Sequence, residues 1–126
     1  MAPESAPAFL FYVKDFLTDA QCARMSLEAR GAYVTLLAHE WLEGALPVGP
    51  AALAALLHVT PAKFGVLWPQ LASVFTKTED GRLVNERLER ERRHQRQREA
   101  ARRHLEEIRA AHGRAGAAAR WHKRRA

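Results

Sequence analysis

The apolar residues between Ser26 and Gly44 recur at the spacing of one face of an α-helix. This stripe consists of Ala29, Ala32, Tyr33, Leu36, Leu37 and Trp41. The Ser26 hydroxyl can cap the first turn, and Gly44 can adopt the left-handed conformation that often ends helices. The pattern therefore predicts a helix over residues 27–43, on which we expect the other elements to pack.

Two shorter helices are predicted after this central one. Residues 51–58 place three leucines on one side, and residues 61–74 repeat large apolar side chains at intervals of three and four. Thr60 can cap the second of these helices, after a tight turn. Pro69 lies inside it and should kink it, because proline has no amide hydrogen to donate.

A β-hairpin is predicted next, because Asp80-Gly81 separates two short runs of strand-forming residues, 75–78 and 82–85. Two helices joined by a tight turn and followed by a hairpin have the element order of a winged helix-turn-helix. We therefore predict a mainly α fold of this class, in which residues 61–74 face a DNA groove and residues 75–85 form the wing.

The N-terminal region gives weaker patterns. Residues 9–13 are aromatic and branched, which favours a short strand or an extended packed segment. Thr18-Asp-Ala-Gln21 has the form of a capping box, so a short helix is predicted over residues 19–24 with Thr18 as its cap.

Charge is distributed unevenly along the chain. Residues 1–80 carry five Lys or Arg against eight Asp or Glu, whereas residues 81–126 carry fifteen against six. We expect a domain over residues 1–86, a basic helical arm over residues 87–112, and a flexible, disordered basic tail from Gly113, which should end the helix. Such a basic segment favours a polyanion partner, with DNA the first candidate, although a solvated charged helix would show the same composition.

The candidate DNA contacts come from the 61–74 helix, the wing and the arm. The outward positions of the helix carry a single charge, so the pattern leaves DNA reading and protein docking equally open. In the arm, arginines can neutralise phosphates and one tryptophan can stack on an exposed base. The candidates are Lys63, Gln70, Ser73, Lys77, Arg82, Arg87, Arg90, Arg92, Arg93, Arg96, Arg98, Arg102, Arg103, Arg109, Arg114, Arg120, Trp121, Lys123, Arg124 and Arg125.

No enzymatic, metal or cofactor site is predicted. The run His39-Glu-Trp-Leu-Glu43 approaches a zinc-protease motif, but Glu43 replaces the second histidine that would hold the metal. Cys22 is the single cysteine, with no partner base apparent, and reads as a small buried residue. There is no glycine-rich phosphate loop, no signal peptide and no apolar stretch of membrane-spanning length, so we expect a cytoplasmic protein.

The run from Phe9 to Arg87 resembles the YdaU-like domain of phage and prophage proteins, and the tail resembles the segment that follows it. The matching segments are Lys14-Asp-Phe-Leu17, Leu27-Glu-Ala-Arg-Gly-Ala-Tyr33, Gly44-Ala-Leu-Pro47, Asp80-Gly-Arg-Leu-Val-Asn-Glu-Arg87 and Gly113-Arg-Ala-Gly-Ala-Ala-Ala-Arg-Trp121. The resemblance implies a winged-helix domain like those of phage replication initiators, with a role in origin binding or replisome recruitment and hence replication proteins as partners.

The sequence is therefore compatible with three functions. The first is a non-enzymatic DNA-binding protein that acts in initiation of replication. The second is a protein-interaction module in which the weakly charged face of residues 61–74 docks a partner. The third is a transcriptional regulator of the same fold. The patterns do not specify an oligomeric state.

Overall fold

The computed structural model describes residues 6–125, with side chains described through residue 122. The chain is mainly α. Its elements in order are α1 (Val13–Thr18), α2 (Ala20–Arg24), α3 (Leu27–Glu43), α4 (Pro50–Leu57), α5 (Pro61–Leu71), a 3-10 turn (Ala72–Val74), β1 (Thr76–Lys77), β2 (Leu83–Val84) and α6 (Glu86–Arg125).

The chain divides into two compact units between Arg92 and Arg93. This boundary lies later than the one predicted at residue 86, because Leu88, Glu91 and Arg92 on the first turns of α6 are buried in the first unit. The second unit consists of the remainder of α6.

Helix α3 forms the centre of the first unit, as the apolar pattern predicts. The Ser26 hydroxyl accepts from the Ala29 amide at 3.1 Å, and Gly44 ends the helix with a φ of 89°. Every member of the predicted stripe is buried. Side chains from α4, α5 and the hairpin complete the same core: Leu53, Phe64, Leu67, Leu71, Phe75 and Leu83.

The two helices after α3 form close to their predicted positions. Thr60 caps α5 by accepting from the Lys63 amide at 3.1 Å, and Pro69 lies inside that helix. The α-helix ends at Leu71, and the last predicted turn is a 3-10 turn instead.

The hairpin is confirmed as an antiparallel pair in which Thr76 lies opposite Val84. Gly81 supplies the positive φ of 78° that the turn needs. Strand β2 also pairs on its other side, because the Leu83 amide donates to the Leu46 carbonyl at 2.8 Å and the Leu83 carbonyl accepts from the Leu46 amide at 2.7 Å. The connector after α3 thus holds the hairpin against the core.

No strand forms in the part of the N-terminal region that the structure describes, from residue 6 onward. Residues 9–12 have no regular secondary structure, and α1 begins at Val13. The segment is nevertheless held in place, because the Trp41 indole nitrogen donates to the Ala6 carbonyl at 2.7 Å and the Phe9 ring lies 5.1 Å from that of Trp41. Of the two predicted alternatives for this region, a short strand or an extended packed segment, the structure has the extended packed segment.

The cap of the short helix α2 is Asp19, so the prediction of Thr18 is wrong. The Asp19 carboxylate accepts from the Gln21 and Cys22 amides at 2.8 and 3.1 Å. The Thr18 hydroxyl instead donates to the Lys14 carbonyl within α1. A carboxylate is the stronger acceptor for the positive end of a helix.

Helix α6 does not end at Gly113, so the predicted helix end and the disordered tail are both wrong for the described residues. The backbone is helical to Arg125. Alanines dominate residues 110–119, and their helix propensity offsets the roughly 1 kcal/mol that each glycine costs in a helix.

Gly113→Ala should stabilise this part of α6 by about 1 kcal/mol, because an added Cβ meets no atom within 4 Å. The amides of residues 110–118 should then exchange with solvent about fivefold more slowly. Gly44→Ala is the contrasting substitution and should destabilise the first unit, since its φ is 89°. Unchanged exchange in Gly113→Ala would mean that this segment is not helical in solution.

Within the described residues, no single helix is both long and apolar enough to cross a membrane. The segments Pro50–Leu57 and Pro61–Val74 meet the length and composition only together, and they are bent by 97°.

Candidate nucleic-acid interface

The exposed side of α5 is tied to the first turn of α3. The Lys63 ammonium pairs with the Glu28 carboxylate, and the Gln70 side-chain oxygen accepts from the Ser26 amide at 2.7 Å. Ser73 is exposed in the turn that follows. Two of the three polar candidates on this helix therefore already have partners within the first unit.

Two of the candidate cations lie on the hairpin. Lys77 on β1 is exposed, and so is Arg82 just before β2. One Arg82 nitrogen, Nη2, donates to the Ala45 carbonyl at 2.8 Å. That contact holds the guanidinium against the α3–α4 connector.

Arg87 and Arg90 line a polar cleft of about 290 Å³ in the first unit. Arg87 lies 3.5 Å from the Asp19 carboxylate, while Arg90 has no ionic partner among the described residues. Tyr33 also lines the cleft, and burial raises the pKa of its hydroxyl to about 12, so it stays protonated. The cleft combines both signs of charge and is not a concentrated anion site.

Arg92 is not part of the exposed arm, contrary to its grouping with the other arginines. Its guanidinium donates to the Trp41 carbonyl at 3.0 Å and to the Glu40 carbonyl at 2.9 Å, and it lies 4.6 Å from the centre of the Trp41 ring. It also pairs with Glu89 at 2.9 Å. Arg92 thus satisfies the last carbonyls of α3 and is unavailable to nucleic acid.

A buried polar cluster joins α3, the hairpin and α6. The Asn85 amide donates to the Glu40 side chain at 2.9 Å, and the Asn85 side chain donates to the Val74 carbonyl at 2.8 Å. The Asn85 side-chain oxygen accepts from the Leu88 amide at 2.9 Å, which caps α6. These bonds fix where α6 begins.

Glu40 is completely buried, and no donor reaches its Oε2 atom among the described residues. Burial, followed by the hydrogen-bonding and repulsive neighbour Glu89, raises the pKa of Glu40 to about 10. The Glu40 side chain is therefore protonated at neutral pH, which lets Oε2 act as a donor.

The apolar periodicity of α3 contains a signal for this cluster. Glu40 follows Tyr33 by seven residues and Leu36 by four, so it falls within the apolar stripe of α3. A charged residue at a core position indicates a buried partner.

The second unit is strongly basic. From residue 93 onward the chain carries eleven Lys or Arg against three Glu. Glu99 pairs with Arg102 and Arg103, and Glu106 pairs with Arg102. The exposed arginines with no ionic partner among the described residues are Arg93, Arg96, Arg109, Arg114 and Arg120.

The remaining arm candidates lie toward the end of α6. Trp121 is 55% exposed. Lys123, Arg124 and Arg125 belong to the helical backbone, and their side chains lie outside the described part.

The described residues give little geometric support for a metal site or for a reactive cysteine. No group of three or more His, Cys, Asp or Glu side chains is placed to hold a metal ion. Cys22 is buried, and burial raises the pKa of its thiol, which opposes thiolate formation.

Comparisons of this chain with protein-family models, with curated proteins and with solved structures found no match.

Proposed function

We propose that this chain is a non-enzymatic DNA-binding protein whose main nucleic-acid interface is the second unit. We further propose that it acts in initiation of phage or prophage DNA replication, by origin binding or replisome recruitment, as its resemblance to YdaU-like domains implies. The observation that carries the first proposal is the set of five exposed arginines on one continuous helix that have no ionic partner among the described side chains. Such a helix can neutralise several phosphates at once.

The first unit would position the protein on DNA and would contribute less to the affinity for DNA than the second unit. The succession of α4, a tight turn, α5 and the hairpin supports a winged helix-turn-helix arrangement. The exposed side of α5, however, offers one cation, and Lys63 already pairs with Glu28. In this proposal the wing residue Lys77 touches phosphate, and most of the binding free energy comes from the arm.

The test is a pair of matched triple substitutions in the full chain. In the arm variant, Gln replaces Arg96, Arg109 and Arg120. In the first-unit variant, Gln replaces three exposed cations of the first unit, Lys14, Arg24 and Lys77. Binding to labelled random-sequence duplex and single strands is measured from about 50 to about 200 mM salt. The arm variant should lower the salt slope of log K by roughly three, since each lost phosphate contact removes about one.

The first-unit variant should change this slope by about one or less, because only Lys77 is assigned a phosphate contact. Wild-type affinity in the arm variant would remove the arm from the interface. A larger loss in the first-unit variant would place the interface on the first unit instead. A footprint on phage DNA would then separate replication origins from promoter sites and so test the replication role against transcriptional regulation.

A second candidate, a protein-docking module, is favoured by exposed apolar residues beside α5. Leu27 is 84% exposed and Val66 is 64% exposed. The Lys63–Glu28 and Gln70–Ser26 contacts lie to either side of them, which places both on one surface. Exposed apolar surface of this kind marks protein contacts. Absence of any DNA shift by the wild-type chain at micromolar concentration and low salt would favour this function.

A further inference from the structure

One face of α6 in the second unit carries no Asp, Glu, Lys or Arg. Along this face, residues recur at alternating intervals of three and four, which is the spacing of the inner face of a coiled coil. We call it the seam, and it consists of His94, Gln97, Ala101, His104, Ile108, Ala111, Ala115, Ala118 and His122.

The seam is exposed within the second unit. Ile108 is 38% exposed and the adjacent Leu105 is 52% exposed. The ion pairs of Arg102 and Arg103 with glutamates lie on the opposite side of the helix, at positions that face outward in a coiled coil. Part of the charged side of the helix is thus paired locally, while the uncharged side has no cover in this unit.

We propose that the seam packs against the seam of a second copy of this chain in antiparallel orientation. In the register that places Ile108 opposite Ala111 of the second copy, His104 lies opposite Ala115 and Ala101 lies opposite Ala118. The Ile108 and His104 side chains then each meet an alanine, so the two helices can approach closely along the central part of the seam. A parallel pair would instead oppose Ile108 to Ile108 and His104 to His104.

Charge complementarity selects the same arrangement. Glu107 and Arg114 flank the seam on one side, and neither has an ionic partner among the described residues. They lie seven residues apart, about 10.5 Å along the helix, so they are too distant to pair with each other. In the antiparallel register Glu107 meets Arg114 of the second copy, and the contact occurs twice by symmetry.

The pairing leaves the outward arginines accessible. Arg96, Arg102, Arg103, Arg109 and Arg120 all occupy positions that point away from the seam. A paired arm would therefore present basic surface on both of its sides. The pairing itself does not depend on DNA binding and is tested without DNA.

The first test uses disulfide trapping in full chains in which the buried Cys22 is replaced by Ala. Chains with Ala101→Cys and chains with Ala118→Cys are oxidised separately and as a mixture. The antiparallel register predicts a cross-linked dimer in the mixture and little in either chain alone. Cross-linking of Ala101→Cys alone would indicate a parallel pair, and no cross-linked product in any sample would overturn the proposal.

The second test reverses charges and measures dimerisation by sedimentation. Glu107→Arg should raise the dissociation constant about tenfold, because two attractive contacts become repulsive, and the double variant E107R/R114E should restore it. Glu106→Arg is the matched control, since it makes the same change in charge on the outward side. An equal effect of both single changes, or a wild-type chain that stays monomeric at every soluble concentration, would contradict the pairing.

Discussion

Replacing Trp41 with Ala should lower the free energy of unfolding of the first unit by about 3–5 kcal/mol. Trp41 is 2% exposed, and its ring fills the space between α3 and the N-terminal segment. Its removal leaves a cavity, because the surrounding helices can collapse only in part. The Ala6 carbonyl also loses its donor.

The loss extends to α6 through Arg92. The guanidinium stacks on the Trp41 ring while it donates to the last carbonyls of α3. Without the ring, one face of this buried cation loses its contact, which adds to the destabilisation. We therefore expect Trp41→Ala to loosen the start of α6 as well as the core.

Urea unfolding followed by the fluorescence of Trp68 measures this effect, because Trp68 packs against the same core. Leu42→Ala is the control, since Leu42 neighbours Trp41 on the helix but is 47% exposed, and it should change stability by about 1 kcal/mol or less. Equal midpoints for the Trp41 variant and the wild-type chain would mean that α3 does not organise the first unit.

The local patterns that predicted individual helices, caps and turns correctly are those that short-range geometry decides. The stripe of α3, its serine cap and its terminal glycine are all set by helical spacing and local hydrogen bonds. The same holds for the Thr60 cap and the Asp80-Gly81 turn. In each case the residues that determine the structure lie within a few positions of it.

The features that the sequence did not predict depend on contacts between distant segments. Glu40 and Asn85 are far apart in the chain, and only the packing of α3 against the start of α6 pairs them. The sequence alone does not distinguish Arg92 from the other arginines of the arm, because its contact with Trp41 depends on the tertiary structure. For Gly113, the propensity of the surrounding alanines outweighs one residue's preference to end a helix.

The candidate site shows the same division. Composition alone predicted the basic character of the second unit, because charge counts need no tertiary structure. The partners of Lys63 and Gln70 in the first turn of α3 could not be predicted, because they depend on how α5 lies along α3. Those contacts reduce the free polar surface of α5 and move the proposed interface to the arm.

Glu40→Gln should stabilise the protein at neutral pH and remove a loss of stability that accumulates as the pH rises from about 4.5 toward about 10. The folded pKa of Glu40 is raised to about 10 from an ordinary value of 4.5. Between these two pH values the folded chain holds a proton that the unfolded chain has released, so raising the pH favours unfolding. The wild-type protein should lose up to about 1.4 kcal/mol of stability per pH unit across this window.

Glutamine reproduces the neutral form of Glu40 at every pH. Its oxygen can accept from the Asn85 amide, and its amino group can donate toward Glu89. The variant should therefore be more stable than the wild-type protein by up to about 3 kcal/mol at pH 7, with a flat profile from pH 6 to 9. Glu79→Gln, at an exposed position in the hairpin turn, should keep the wild-type slope. Urea unfolding at each pH measures both profiles, and parallel curves for Glu40→Gln and the wild-type protein would mean that Glu40 is ionised in the folded state.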